Sequence, residues 1–360
     1  MSTTSSAPRK RVLSGMRPTG KLHLGNYMGA LHNWVRLQHE YDCYFFIADW
    51  HALTTDYADT SQVKQNTLEV VLDFLAAGLS PEQCVIFIQS HVKAHAELHL
   101  LFSMITPLGW LERVPTYKEQ QENLSGKDLS TYGFLGYPLL QSADILIYQP
   151  DFVPVGQDQV AHVELTREVA RRFNQFYKPK GTASSTSLGM TRAQSAEILP
   201  EPQALLTPSP KLPGTDGRKM SKSYGNTILL TDPESVVRQK MKPMVTDPAR
   251  VRRTDPGNPD KCPVGDLHRV FSSQETLAKV YDGCTTASIG CIECKGWAAD
   301  AIVTMLQPIQ ERRAKYENDL SLVQDILNDG TKRAAARAEE TMVQVRAAMG
   351  LEENLISAKV

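Results

Sequence analysis

The chain has 360 residues, with 39 basic against 40 acidic and a net charge of -1. That length accommodates two domains of roughly 100–200 residues each, and the charge balance excludes a globally basic nucleic-acid binder, so any such surface has to be local. No apolar run approaches the roughly 18 residues that a bilayer-spanning helix needs, and six cysteines in this length do not make a disulfide scaffold; the expectation is a cytoplasmic protein without a membrane partner.

Residues 1–10 are Ser/Thr-rich and basic, without an apolar signal core, and read as a disordered lead. Arg11 to Gly15 reads as a buried strand ending at a glycine. The turn Met16-Arg17-Pro18-Thr19-Gly20 follows, then His23-Leu24-Gly25-Asn26, and from Asn26 apolar residues recur at helical spacing through Leu37. Cys43 to Ala48 is a second strand, closed by Asp49-Trp50-His51. Ser61 is expected to cap a helix that Gly78 stops, and Val85 to Ile88 is a third strand with polar Gln89, Ser90 and His91 at its carboxyl end. Strand, helix, strand, helix, strand predicts a parallel sheet with crossover helices. Ligands of such sheets bind beyond the carboxyl ends of the strands.

Proline and glycine interrupt residues 105–137, which read as an insertion. Tyr137 to Tyr148 is helical, Phe152 to Val155 a short strand, and Gln159 to Phe173 a helix. Residues 178–212, rich in Ser, Thr, Ala and Pro, predict an irregular surface segment. Pro213-Gly214-Thr215-Asp216-Gly217 then introduces a loop, Lys219-Met220-Ser221-Lys222-Ser223, within 213–226. Thr227 to Leu230 is strand-like, and from Thr231 to about Met349 the pattern is helical apart from a Pro/Gly-rich link at 247–265. The division expected is a lead at 1–10, an α/β domain at 11–230 and an all-helical domain at 231–360.

The chemistry concentrates in a few places. His23-Leu24-Gly25-Asn26 falls between a strand and a helix N-terminus, where unpaired N–H groups and the helix dipole favour a phosphate. Gly25 allows close backbone approach. Tyr137, Gln141 and Asp144 are four and three residues apart and share one helical face. Cys262, Cys284, Cys291 and Cys294 are spaced C-x21-C-x6-C-x2-C, a thiol set suited to tetrahedral zinc or a four-iron cluster. Arg238, Lys240, Lys242, Arg250, Arg252, Arg253 and Lys295 flank it as a local basic face.

The combination of HLGN, Gly156-Gln157-Asp158-Gln159 after a mid-chain strand, and KMSKS downstream resembles the class I aminoacyl-tRNA synthetases, where the first and last are the HIGH and KMSKS motifs. Within them it is similar to the tryptophanyl/tyrosyl subgroup. Ser14 to Gly20, Asp49 to Thr54, Val155 to Gln159 and Pro308-Ile309-Gln310-Glu311-Arg312 are most similar to the bacterial tryptophanyl enzymes.

The resemblance implies a Rossmann-like doubly wound parallel sheet with an inserted dimerisation segment at about 105–137, a helical anticodon-binding domain, and a homodimer. It implies L-tryptophan, ATP with Mg²⁺, and tRNA(Trp) as partners. Catalysis would rest on His23, Asn26, Lys219 and Lys222. ATP would meet Arg17, Gly25, Asn26, Lys118, Gly156, Asp158, Lys219, Met220, Ser221 and Lys222, with Asp158 on the ribose. Tyr137 and Gln159 would hold the substrate ammonium, Asp144 would accept the indole N–H, and Gln141 and His51 are further pocket candidates. A subset of the bacterial enzymes carries a [4Fe-4S] cluster at similar cysteine spacing, so the resemblance favours that over zinc. Two departures stand out: Gln120 replaces a second lysine after Lys118-Glu119, and Arg17 stands where some relatives have Gln. The helix from Tyr137 also spells the Tyr-x-x-x-Gln-x-x-Asp of tyrosyl enzymes. A tyrosyl ligase, a nucleotidyltransferase making a small adenylylated cofactor, and a non-charging paralogue with a regulatory role therefore remain alternatives.

Overall fold

A computed structural model describes residues 9–115, 117, 128–177, 197–206 and 212–351. Lys118, expected near the phosphates, lies outside the described residues. Strand β1 (Arg11–Met16) leads through α1 (Leu24–Asn26), a π turn (Tyr27–Leu31) and α2 (His32–Leu37) to β2 (Asp42–Ile47). Next come α3 (Asp49–Asp56), α4 (Val63–Ala77) and β3 (Cys84–Ile88), followed by α5 (Ala94–Ser103) and α6 (Leu108–Glu112). Helix α7 (Tyr132–Leu146), β4 (Phe152–Val155), α8 (Val160–Phe176) and β5 (Gln203–Leu206) complete the α/β part. The remainder is helical: α9 (Glu234–Met241), α10 (Pro263–Phe271), α11 (Gln274–Thr285), α12 (Cys291–Glu317) and α13 (Leu320–Met349).

The five strands are parallel in the order β3-β2-β1-β4-β5. This is the expected Rossmann-like sheet. The chain builds outward from β1 on one side and then returns to its other side at β4, so the switch point lies between the carboxyl ends of β1 and β4. Alternation along the strands sends Val12, Phe45 and Ile86 to one face and Leu13, Phe46 and Phe87 to the other. The first face packs on α1, α2, α4 and α12, the second on α5, α7 and α8. Helix α13 serves both: Val323, Ile326 and Leu327 join the first core, and Ala334, Ala338, Met342 and Val345 the second. It covers the edge strand β3, where a Cβ at Gly330 would overlap the Ile86 carbonyl oxygen. An uncovered parallel edge would leave its backbone groups unpaired. Among the described residues no helix is long and apolar enough to cross a membrane.

Several local expectations need correction. Within 178–212, Gln203–Leu206 pairs with β4 as an edge strand; its residues are half-exposed or exposed, so no apolar run announces it. The stretch 227–230 is no strand; it contributes one antiparallel bridge, Leu229 to His23. Ser61 caps nothing: Gln62 is the N-cap of α4 and makes no side-chain cap bond, while the Ser61 N–H donates to Asp59. Gly78 does end that helix in a left-handed conformation, φ 112°. The expected helix at Tyr137 begins earlier, at Tyr132, where the Thr131 hydroxyl accepts the Phe134 N–H.

Candidate active site

A cavity of about 310 Å³ opens at the switch point. Its floor is Ser14, Gly15 and Met16 from the end of β1, and its walls come from the first helical residues, α3, α7 and the start of α8. Arg17, His51, Tyr137, Gln141, Asp144, Gly156 and Gln159, drawn from distant parts of the α/β region, all line it. Gly15 is required here because a Cβ would run into the Phe46 ring. At Gly156 a Cβ would come within 2.8 Å of the Asp158 carboxylate, so the glycine leaves that side open. Asp158 itself is exposed and caps neither the short 3-10 turn nor α8, which removes a capping role as the reason for a carboxylate there.

Asp144 lies at the buried end of the cavity. Its Oδ2 accepts from His51 Nε2 at 2.8 Å, its Oδ1 from His95 Nδ1 at 2.6 Å, and Gln89 Nε2 donates to both oxygens at 2.7 and 2.8 Å. Burial opposes ionisation, but the bonds from His51 and His95 outweigh it and hold the carboxyl well below the usual carboxylate range. His51 is thus both a wall residue and a satisfied histidine. Gln89 and His95 escaped the sequence reading as site residues. Gln89 was visible only as one polar residue at a strand end, and nothing local to His95 points at Asp144. Arg17 donates to the Thr55 hydroxyl at 2.6 Å and faces Asp56 at 3.8 Å; burial lowers its pKa.

The rim beside HLGN is assembled from two distant segments zipped together. Leu24 N–H donates to the Ile228 carbonyl and Leu230 N–H to the Leu22 carbonyl, both at 2.9 Å. The buried Asp73 carboxylate accepts the Leu22 N–H at 2.7 Å and is paired with Arg313 from α12. This brings Lys219 to Lys222 up against HLGN. His23 is the N-cap of α1: its Nδ1 accepts the Asn26 N–H at 3.3 Å, while Asn26 Oδ1 accepts the His23 N–H at 3.2 Å. Because Nδ1 accepts, the ring proton sits on Nε2, which remains a donor. Desolvation, then the charges of Lys222 and Lys219, push His23 down to about 4, so it is neutral near pH 7. A Cβ at Gly25 would press on the His23 ring at 2.9 Å.

Lys222 Nζ donates to the carbonyls of Thr19 and Gly20 at 2.8 and 2.9 Å, and burial lowers its pKa to about 8. Lys219 is exposed, whereas Met220 is buried in the first core and anchors the loop. Met220 therefore has its backbone, and not its side chain, to offer a ligand. Buried Asn226 shapes the loop: its Oδ1 accepts the Ser221 N–H at 2.8 Å and its Nδ2 donates to Asp216 at 2.7 Å. Gly214 packs directly on Asn226, and Gly217 has φ 82°. Gly214 is thus a close-approach glycine in a small hairpin bridged from Pro213 to Lys219.

The four C-terminal cysteines converge. Cys262 is the N-cap of α10, Cys284 is in α11, and Cys291 and Cys294 are in the first turn of α12; all four line a cavity of about 20 Å³. Desolvation and the neighbouring thiols push Cys294 up to about 12. Arg250 and His268 approach two of the sulfurs, Cys284 at 3.9 Å and Cys294 at 3.4 Å. Among the described residues no group of three or more His, Cys, Asp or Glu is already arranged around a metal position. The basic face is smaller than its sequence implies. Arg238 pairs with Glu234 and Asp300, Lys240 with Asp232, and Arg250 is buried against carbonyls of Arg253 and Ile289. Lys242, Arg252 and Arg253 are exposed.

Residues 5–307 match the family described as tRNA synthetases class I (W and Y). A tryptophan–tRNA ligase of Thermotoga maritima is 55% identical over 95% of this chain and 99% of its own. One from Ralstonia nicotianae is 52% identical over 95% and 98%. The crystal structure of tryptophanyl-tRNA synthetase from Campylobacter jejuni, complexed with ADP and tryptophan, superposes with a TM-score of 0.82 at 31% identity, covering 95% of this chain and all of that one.

Proposed function

The chain belongs to the class I tRNA synthetases of the tryptophan and tyrosine group, and from that premise we propose how its residues divide the work of a tryptophan–tRNA ligase. The activity is ATP-dependent activation of L-tryptophan and transfer to tRNA(Trp). A carboxylate oxygen of tryptophan attacks the α-phosphorus of ATP, pyrophosphate leaves, and the tRNA terminal hydroxyl then takes the acyl group and releases AMP. The nucleophile of the first step is already an anion, so no general base is needed and the rate comes from positioning and charge neutralisation.

In this reading the 310 Å³ cavity takes tryptophan, with the indole N–H on Asp144, the ammonium near Tyr137, Gln141 and Gln159, and His51 on the wall. Asp158 meets the ribose beside Gly156. His23, through Nε2–H, and Asn26, Lys219 and Lys222 face the phosphates, with Gly25, Ser221, the Met220 backbone and Arg17 adjoining; Mg²⁺ brought with ATP shares the neutralisation. The observation that carries it is Asp144, buried at the closed end of the cavity and held ionised by the bonds from His51 and His95. A substrate without a donor there forfeits a hydrogen bond to a buried charge, which discriminates against it. ATP–pyrophosphate exchange should proceed with tryptophan, and Asp144→Asn should raise the tryptophan KM; exchange with tyrosine alone would overturn the assignment.

We further infer that Cys262, Cys284, Cys291 and Cys294 hold a [4Fe-4S] cluster, zinc being the other group that four thiols suit. The support is their convergence on one small cavity from three helices; the cluster would supply a cross-link between those helices. Protein purified without oxygen should be brown and carry iron and sulfide, and a colourless protein with one zinc would decide for the metal ion. The exposed Lys242, Arg252 and Arg253 beside it suit the tRNA anticodon arm. Exposed Leu100 on α5, Met104 just after it and Leu108 on α6 suit the homodimer contact, which sedimentation would read as twice the 40.0 kDa chain mass. The cytoplasm is where ATP, tryptophan and tRNA would meet this enzyme.

A further inference from the structure

Asp144 is described above as the group that reads the indole N–H, and what stands behind it has no assigned role. His95, in the first turn of α5, is fully buried and does not line the cavity. Its Nδ1 faces Asp144 Oδ1 at 2.6 Å, and its Nε2 faces the Tyr148 hydroxyl at 2.8 Å. Tyr148 is also fully buried, wedged among the rings of Tyr44, Phe87 and His95. Gln89 completes the backing, and its own amide is oriented because Oε1 accepts the Trp50 N–H at 3.1 Å.

The donor order in this chain follows from the acceptor at its end. An ionised carboxylate only accepts, so the His95 Nδ1 must carry a proton. Its Nε2 meets the Tyr148 hydroxyl, which tethers the far side of the ring. The donation from His95 to Asp144 is therefore fixed. It matters because a carboxyl buried without such donors would keep its proton. A protonated Asp144 could turn an O–H toward the cavity, where the indole N–H needs an acceptor. We propose that His95, backed by Tyr148, is a positioning residue for substrate selection: it holds Asp144 as a fixed acceptor through Oδ1, away from the cavity, so that tryptophan meets the Oδ2 edge, where the cavity-wall residue His51 also donates.

The inference rests on Asp144 reading the indole N–H, and the test separates the two. ATP–pyrophosphate exchange is measured with tryptophan and with its benzothiophene isostere, in which sulfur replaces the N–H. The parent prefers tryptophan. His95→Phe, which keeps a ring and removes both nitrogens, should reduce that preference about tenfold or more, chiefly through the tryptophan KM, and His95→Asn, which restores an N–H near the Nδ1 position, should recover much of it. Tyr148→Phe removes one hydroxyl from a packed ring and should give a smaller loss in the same direction; it decides the matter if the His95 variants do not fold. Equal losses with both substrates would make His95 and Tyr148 merely structural and overturn the proposal. An unchanged preference in Asp144→Asn would instead overturn the reading of Asp144 itself.

Discussion

Asp144, at the closed end of the cavity, receives four hydrogen-bond contacts from three buried side chains, whereas half-buried Lys222, at the phosphate rim, rests on two backbone carbonyls of a surface turn. The first arrangement is costly to disturb, since removing any donor leaves a buried charge short of a partner. The second is easily exchanged: an ammonium on neutral carbonyls gains by moving to a phosphate, where the hydrogen bonds are charge-assisted on both sides. On the proposed assignment, substrate choice is built into the interior before ligand arrives, and charge neutralisation is left to groups that are free to move when ATP does.

The largest effect that should separate the two sides is the loss of a lysine. Lys222→Ala or Lys219→Ala should slow adenylate formation about 10²–10³-fold and leave tryptophan affinity near that of the parent. Single-turnover activation and equilibrium tryptophan binding measure the two independently, and a fall in affinity at constant rate would erase the distinction. The interior side has its own test at Gly330, whose missing Cβ lets α13 lie on β3, the strand that delivers Gln89 to Asp144. Gly330→Ala should destabilise the protein by about 3 kcal/mol, seen as a lower urea midpoint. An unaltered midpoint would mean that the edge is less tightly held than its geometry requires.

How legible each side was in the sequence follows from the same contrast. HLGN and KMSKS are contiguous runs whose chemistry is local, so both could be found, as could the helical face of Tyr137, Gln141 and Asp144. The sheet was legible because buried parallel strands read as apolar runs, and Gly78 ended its helix as expected. The partners of Asp144 were not legible. Gln89, His95 and Tyr148 come from a strand end and two helix ends, and only the sheet order brings them together. The role of Asn226 was not legible either, since its two-sided bonding to Ser221 and Asp216 depends on a hairpin that no periodicity encodes. Edge strand β5 was missed because half-exposed strands carry no apolar run.

Asn226→Ala tests whether the exchangeable side still needs a scaffold. It strands the Ser221 N–H and removes one donor from Asp216, which keeps Arg218, and should cost about 1–2 kcal/mol of stability and raise the ATP KM, with the tryptophan KM held. A matched rise in both would show that the loop and the cavity form one unit.

The smallest expected effect concerns the charge of His23, which belongs to the rim. Burial is the main cause of its low value, about 4, and the Lys222 and Lys219 charges add to it. Lys222→Ala should therefore raise the His23 pKa part of the way toward its ordinary 6.5, a change readable from the ring proton resonances. The sign for stability follows from linkage. Between pH 6.5 and about 4 the unfolded ring binds a proton that the folded ring refuses, so this contribution to stability is full above 6.5 and is lost as the pH falls toward 4. Lys222→Ala should flatten that decline, with urea midpoints at pH 7 and pH 5 closer together than in the parent. Asp144 does not interfere, because its depressed value affects stability only below its ordinary 3.8. If the two proteins decline in parallel, Lys222 does not act on His23, and the lysine is engaged away from HLGN even before ATP binds.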